Sequence, residues 1–211
     1  PEALTSVQII KLVKTEPDYE HNKQASQKWL VDFNELNPTK NVTLPLIFTD
    51  NHQIILDTWH GRTSLHHLGY KTETGTYPWN QVKHLFRNQT EGTPLLYSKD
   101  ITADNTLKLN RTLNTRRWLP SNLRGLRTSP SIIVNRIIGS LKHPTLKHAV
   151  VDLPAYYTEN HVNVITPARK TKLPLQQVSE RLSNPGLSIY LQAITGNTQL
   201  SATELNHLLP L

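Results

Sequence analysis

The side chains best equipped for chemistry lie near the C-terminus, in the loop of residues 195–200, TGNTQL. Gly196 and Asn197 tolerate tight backbone conformations, and Thr198 and Gln199 offer donors and acceptors. Amide side chains can hydrogen-bond a base edge through two atoms at once, which discriminates one base from another. The loop runs into Ser201-Ala202-Thr203-Glu204, whose S-x-x-E spacing is that of a capping box. The Ser201 hydroxyl would accept from the Glu204 amide and start a helix. A cap accounts for Ser201 and Glu204, but it does not require Asn197, Thr198 and Gln199.

The second chemical feature is charge. The net charge is +7, and it is unevenly spread. Residues 1–79 hold seven Lys/Arg against nine Asp/Glu, whereas residues 80–211 hold sixteen against seven. Between Asn105 and Val151 there is no acid at all. That span carries Lys108, Arg111, Arg116, Arg117, Arg124, Arg127, Arg136, Lys142 and Lys147. A solvated face needs cations, but not a run of them without one carboxylate. The pattern implies an anionic polymer as partner, and nucleic acid above all.

Metal and redox chemistry have little to stand on. Cysteine is absent, which removes disulfides and thiolate sites and is compatible with a reducing cytoplasm. His66 and His67 are adjacent, so a helix would point them apart, and no carboxylate or further histidine sits at ligand spacing. No metal site is expected.

These groups need a scaffold. The chain of 211 residues fits one domain, or one domain with an extension, and a hydrophobic content of 36% suffices for a core. No run approaches the length of a membrane helix, and no signal-peptide pattern opens the chain. Methionine is absent, including at position 1, so the chain is expected to be a piece of a longer protein or a processed product. Residues 23–36 have helical spacing at Trp29, Leu30, Phe33 and Leu36, and the segments 42–48 and 53–56 read as a hairpin. Residues 64–68 read as a helical turn ended by Gly69, and residues 71–76 as a polar loop. Trp79 reads as core. Residues 94–97 read as a short strand and 102–128 as a long polar connection. Residues 131–138 and 148–153 read as an antiparallel pair with basic residues at one end. The alternation of residues 161–166, HVNVIT, suits a half-buried strand. Two helices follow, with Leu175, Val178 and Leu182 on one apolar face and Leu187, Tyr190, Leu191 and Ile194 on the other. Strands first and helices later predict an α+β domain, with a small mixed or antiparallel sheet and C-terminal helices.

Five blocks, in order, resemble one family: LGYKTETGTYPWNQVK, PLLYSKDI, SPSIIVNRIIG, YYTENHVNVITP and LSIYLQAITGNTQLSATELNHLLPL. Their order and spacing resemble the C-terminal specificity domains of the TaqI-like adenine-N6 DNA methyltransferases of restriction–modification systems. The resemblance covers roughly residues 60–211 and fades over 1–59. It implies a target-recognition domain over 60–211, with 1–59 an N-terminal extension or the connection from a catalytic domain. Family enzymes move a methyl group from S-adenosylmethionine to the exocyclic nitrogen of a flipped adenine. Their catalytic domain carries an N-P-P-Y/F motif. Here Asn37-Pro38-Thr39 and Asn184-Pro185-Gly186 both lack the second proline and the aromatic, and no G-x-G-x-x-G occurs. The chain alone is therefore expected to bind no methyl donor and transfer nothing. S-adenosylmethionine would belong to the parent enzyme.

On this reading the partners are double-stranded DNA and the catalytic domain of the parent protein. Cations of 105–147 and 169–172 would hold phosphates, while amides, hydroxyls and arginines would read bases. The candidates are Lys71, Thr72, Thr74, Arg116, Arg117, Arg124, Arg136, Lys142, Asn197, Thr198 and Gln199. Asn160 and His161 fall in a family block but suit a structural turn equally well, and Trp79 and Trp118 offer aromatic surface. Two rivals remain. An RNA or single-strand binder would show aromatics on a sheet face, where only Tyr156 and Tyr157 stand together. A nuclease would need clustered carboxylates, which the basic region lacks.

Overall fold

The computed structural model describes residues 57–87, 92–109, 117–139, 144–194 and 198–211. The expected helix at 23–36 and hairpin at 42–56 lie outside the described residues. The fold is α+β. One sheet takes β1 (Tyr70–Thr74), β4 (Ser131–Asn135), β5 (His148–Val151) and β7 (Val162–Pro167) in the order β1-β7-β4-β5. Every pairing in it is antiparallel. A smaller sheet takes β2 (Thr93–Leu96), β3 (Trp118–Leu119) and β6 (Tyr157–Thr158) in the order β3-β2-β6, with β2 and β6 parallel.

Side-chain alternation along these strands explains the layers. Tyr70, Ile132, Val134 and Ile165 project to one face of the four-stranded sheet. There they meet the apolar stripes of α2 (Leu175–Leu182) and α3 (Gly186–Ile194), with Val178, Leu182, Leu187, Tyr190 and Leu191 buried. Leu205 of α4 (Ala202–His207) closes the same core. Ile133, Ala149, Val151, Val162 and Val164 project to the other face, against Leu96, Ile101 and Tyr156. Both faces of the sheet are therefore covered. Tyr157, Leu95, Leu119 and Val82 build a third, smaller core around the second sheet. The Val82 of that core belongs to a short helix, α1 (Trp79–Val82).

Several expectations are corrected here. Residues 71–74 form most of the edge strand β1 and are not a loop, because their backbone pairs with β7 from Lys71↔Thr166 to Thr74↔Asn163. The β7 strand is not half-buried. It lies between β1 and β4, so even Asn163 is fully buried. Trp79 is 42% exposed, with the Lys83 ammonium 4.0 Å from its ring centre, and is not core. The stretch 102–128 is not simply a connection, since β3 within it pairs with β2. Among the described residues no helix is long and apolar enough to cross a membrane.

Candidate nucleic-acid interface

Strand register decides which polar residues meet. Thr74 ends β1 opposite Asn163, and Asn135 ends β4 opposite Val162. The last residues of β1 and β4 and the first of β7 therefore lie at one end of the sheet. Beyond β4 the chain continues through Arg136 and Ile137, which the segment at 198–200 joins. The Ile138 amide donates to Thr198 O at 2.9 Å and the Leu200 amide to Arg136 O at 2.8 Å, so Ile137 bridges Gln199. Beyond β1, Tyr77 bridges Glu159 and its hydroxyl donates to Arg124 O. Gly75 makes this crossing possible: any Cβ there would lie 2.0 Å from the Glu159 carbonyl oxygen.

One sheet end thus gathers Thr74, Arg124, Arg136, Thr198 and Gln199, five of the eleven candidates. Arg124 is exposed. Arg136 is half-buried, and its Nη1 donates to Asn160 O at 2.9 Å, while its Nε has no hydrogen-bond partner among the described residues. Ile137, 44% exposed, adds an apolar surface beside Gln199 that helical or strand periodicity does not single out. His161 Nδ1 donates to Glu159 Oε1 over 2.6 Å, which holds the turn between β6 and β7. Asn160 and His161 therefore have a structural place there.

The link holding this end together was also missed. Thr74 Oγ1 donates to Asn163 Oδ1 at 3.2 Å, and Asn163 Nδ2 donates to Leu200 O at 2.9 Å. One buried amide therefore ties β1 and β7 to the segment that leads into α4. That segment enters the helix through the predicted capping box: the Glu204 amide donates to Ser201 Oγ at 3.1 Å and the Ser201 amide to Glu204 Oε2 at 2.8 Å. In HVNVIT the asparagine is indistinguishable from a solvent-facing residue until β7 is known to be central.

Other candidates fall elsewhere. Lys71 lies towards the opposite end of β1 and pairs with Glu73 at 3.0 Å. That hydrogen bond, with help from Arg127 at 3.1 Å, holds the Glu73 carboxyl below the ordinary carboxylate range. Thr72 donates to Asn206 Oδ1 of α4 at 3.2 Å, across the helix-covered face. Arg117 is corrected outright. It is 4% exposed, its guanidinium is paired with the fully buried Asp100, and the Tyr97 ring lies 5.3 Å from it. A cation so enclosed braces the second sheet and cannot reach a phosphate. Arg116, Lys142 and Asn197 lie outside the described residues.

Among the described residues, no three His, Asp or Glu side chains converge as metal ligands. Tyr156 and Tyr157 are wholly buried.

No family model and no curated protein matches the chain. A chain from a structure of the complex assembly and conformational transition of the type I R-M system is similar to it, with a TM-score of 0.49 and 16% identity. The similarity covers 71% of the present chain, which spans 34% of that one.

Proposed function

We propose that this chain is the sequence-specific duplex-DNA recognition module of a site-specific adenine-N6 methyltransferase of a restriction–modification system. The observation that carries the reading is the meeting of Arg124, Arg136, Thr198, Gln199 and Ile137 at one end of the sheet. Such a set supplies what duplex recognition needs: guanidinium forks for phosphates or guanine, an amide for adenine, and an apolar contact for a thymine methyl. The ordered resemblance of residues 60–211 to the TaqI-like specificity domains supports the reaction class. The methyl donor and the flipped base belong to the parent's catalytic domain, while this module grips the surrounding duplex. The single-strand reading loses support because Tyr156 and Tyr157 are buried. It keeps one favourable observation, the exposed Trp79 beneath Lys83.

The test is fluorescence anisotropy of the full chain with duplex and single-stranded oligonucleotides of equal length across a salt series. Duplex binding should dominate, with log K falling by about 0.9 per log unit of salt for each phosphate neutralised. Selection from a randomised duplex pool should enrich one sequence. Affinity independent of salt, or preference for the single strand, overturns the proposal.

A further inference from the structure

At the other end of the sheet lies a cluster that the proposed function has not used. The turn at residues 65–69 carries His66 and His67, and α4 ends on His207. The His66 and His207 rings lie 4.8 Å apart at 36°, and the His66 and His67 rings 5.6 Å apart, edge to face. The segment 168–172 is laid along the turn. Arg169 donates to His66 O at 2.9 Å, the Ala168 amide to Gly69 O at 3.0 Å, and the Lys172 amide to Leu68 O at 2.9 Å. Gly69, at φ +92°, is required here, since a Cβ would stand 2.7 Å from the Lys170 carbonyl oxygen. Three imidazoles and the cations Arg169 and Lys172 are therefore brought into one place by backbone contacts. Arg169, Lys170 and Lys172 are exposed.

The carboxylates of β1 and α4 are already engaged. Glu73 of β1 is paired with Lys71 and Arg127, and Glu204 of α4 accepts from the Ser201 amide. The groups acting on His67 are its own partial burial first, then His66, Lys172, Arg169 and His207, and all of them disfavour its charged form. Burial and His66 do the same to His207. The approach to the turn adds Asp57, His60 and Arg62. Ring nitrogens remain to be used. Ser64 Oγ holds His67 Nδ1 at 2.9 Å, and Asn206 Nδ2 holds His207 Nε2 at 3.1 Å. His67 Nε2 and His207 Nδ1 have no hydrogen-bond partner among the described residues.

We propose that His66, His67 and His207, with Arg169 and Lys172, form a second phosphate-binding site whose imidazoles take up protons as an anionic oxygen is seated. Partial burial and neighbouring positive charge make His67 and His207 resist protonation, and a phosphate removes that resistance by supplying the missing negative charge. With the duplex backbone as the source of phosphate, the site rests on the proposed function and deepens it: the complex should be tighter in mild acid. The protons come from solvent, so the linkage appears directly as a pH-dependent affinity.

The experiment measures duplex affinity of the full chain at pH 7.5 and 6.0 and constant ionic strength. Wild type should tighten by about three- to tenfold on acidification. His67→Asn keeps a partner for Ser64, and His207→Gln keeps one for Asn206. Combined with His66→Gln, they should flatten the pH profile with little change in melting temperature at pH 7.5. Arg124→Gln should weaken binding at both pH values and leave the pH effect in place. Equal wild-type affinity at the two pH values, or a pH effect that survives in the triple variant, overturns the site while the proposed function stands. Absence of duplex binding at either pH sinks the proposed function, and inorganic phosphate then decides the site. Saturating shifts of the three imidazole resonances by NMR would uphold it with free phosphate as the ligand; their absence would overturn it.

Discussion

The two ends of the four-stranded sheet are both basic, but they are basic in different ways. At the end formed by Thr74, Arg136 and Gln199 the charge is guanidinium, permanent at any physiological pH. It stands beside hydroxyls, an amide and an exposed isoleucine. At the other end three imidazoles gather beside Arg169 and Lys172. There the charge is conditional, because histidine titrates close to neutrality. The difference teaches that a basic composition can be divided between a surface suited to reading and one suited to gripping. The first needs varied donors and acceptors in fixed positions, and the second needs only positive charge.

A cation that belongs to neither end should produce the largest effect of all. Arg117→Ala leaves the Asp100 carboxylate buried without its partner, at a cost of about 3–5 kcal/mol. Chemical denaturation should register that loss in full. If Arg117→Ala melted like wild type, the separation of framework cations from interface cations would collapse.

The fixed-charge end is tested next by Arg124→Glu combined with Arg136→Glu. Loss of two phosphate contacts should lower the magnitude of the salt slope by about 1.8 and weaken binding to every duplex. The melting temperature should fall only slightly, since Arg124 is exposed and Arg136 gives up one hydrogen bond to Asn160 O. An unaltered slope would remove these residues from the interface.

Ser201→Ala and Gln199→Ala separate cap from contact within one short segment. Removing the Ser201 hydroxyl should cost about 1 kcal/mol of stability. Gln199→Ala should instead leave the melting temperature in place and relax the preference among selected duplexes. The same result for both substitutions, in either assay, would mean that the segment has a single role.

Acid should produce the smallest effect on the free protein, and its sign is opposite to that expected for DNA affinity. Burial, followed by neighbouring positive charge, lowers the pKa of His67 and His207. Burial also lowers that of His148, against hydrogen bonds to the Leu146 and Ser179 carbonyls that raise it. A histidine with a depressed native pKa takes up its proton more readily in the unfolded chain. Its contribution is thus present above the unfolded value of about 6.5 and is lost as pH falls below it. Thermal melts at pH 7.5 and 5.5 should show the lower value in acid. A melting temperature that rises on acidification would contradict the conditional-charge account of that end.

Local chemistry was legible in the chain wherever it depends on neighbouring residues. The capping box needs only Ser201 and Glu204 three apart, and both of its hydrogen bonds are present. The stripes of α2 and α3 follow from helical spacing, and Val178, Leu182, Leu187, Tyr190 and Leu191 are buried as that spacing demands. The absence of acids between Asn105 and Val151 is a fact of composition. What composition cannot specify is direction. Arg117 and Arg124 are equally basic, yet one is paired with Asp100 inside the second sheet and the other faces solvent. Burial of a charge depends on whether an opposite charge meets it in space. Alternation misled for a related reason. It reports one wet face, and β7 has none, so Asn163 is buried and bonded to Thr74 and Leu200 O rather than solvated. The three histidines are the clearest case. His66 and His67 sit next to each other in the chain, but His207 reaches them only because α4 packs against β1 and the adjoining turn. Helix caps, helix stripes and charge balance are decided by residues a few positions apart. The assembly of either basic end is decided by strand register and helix packing, which join residues that the linear order keeps far apart.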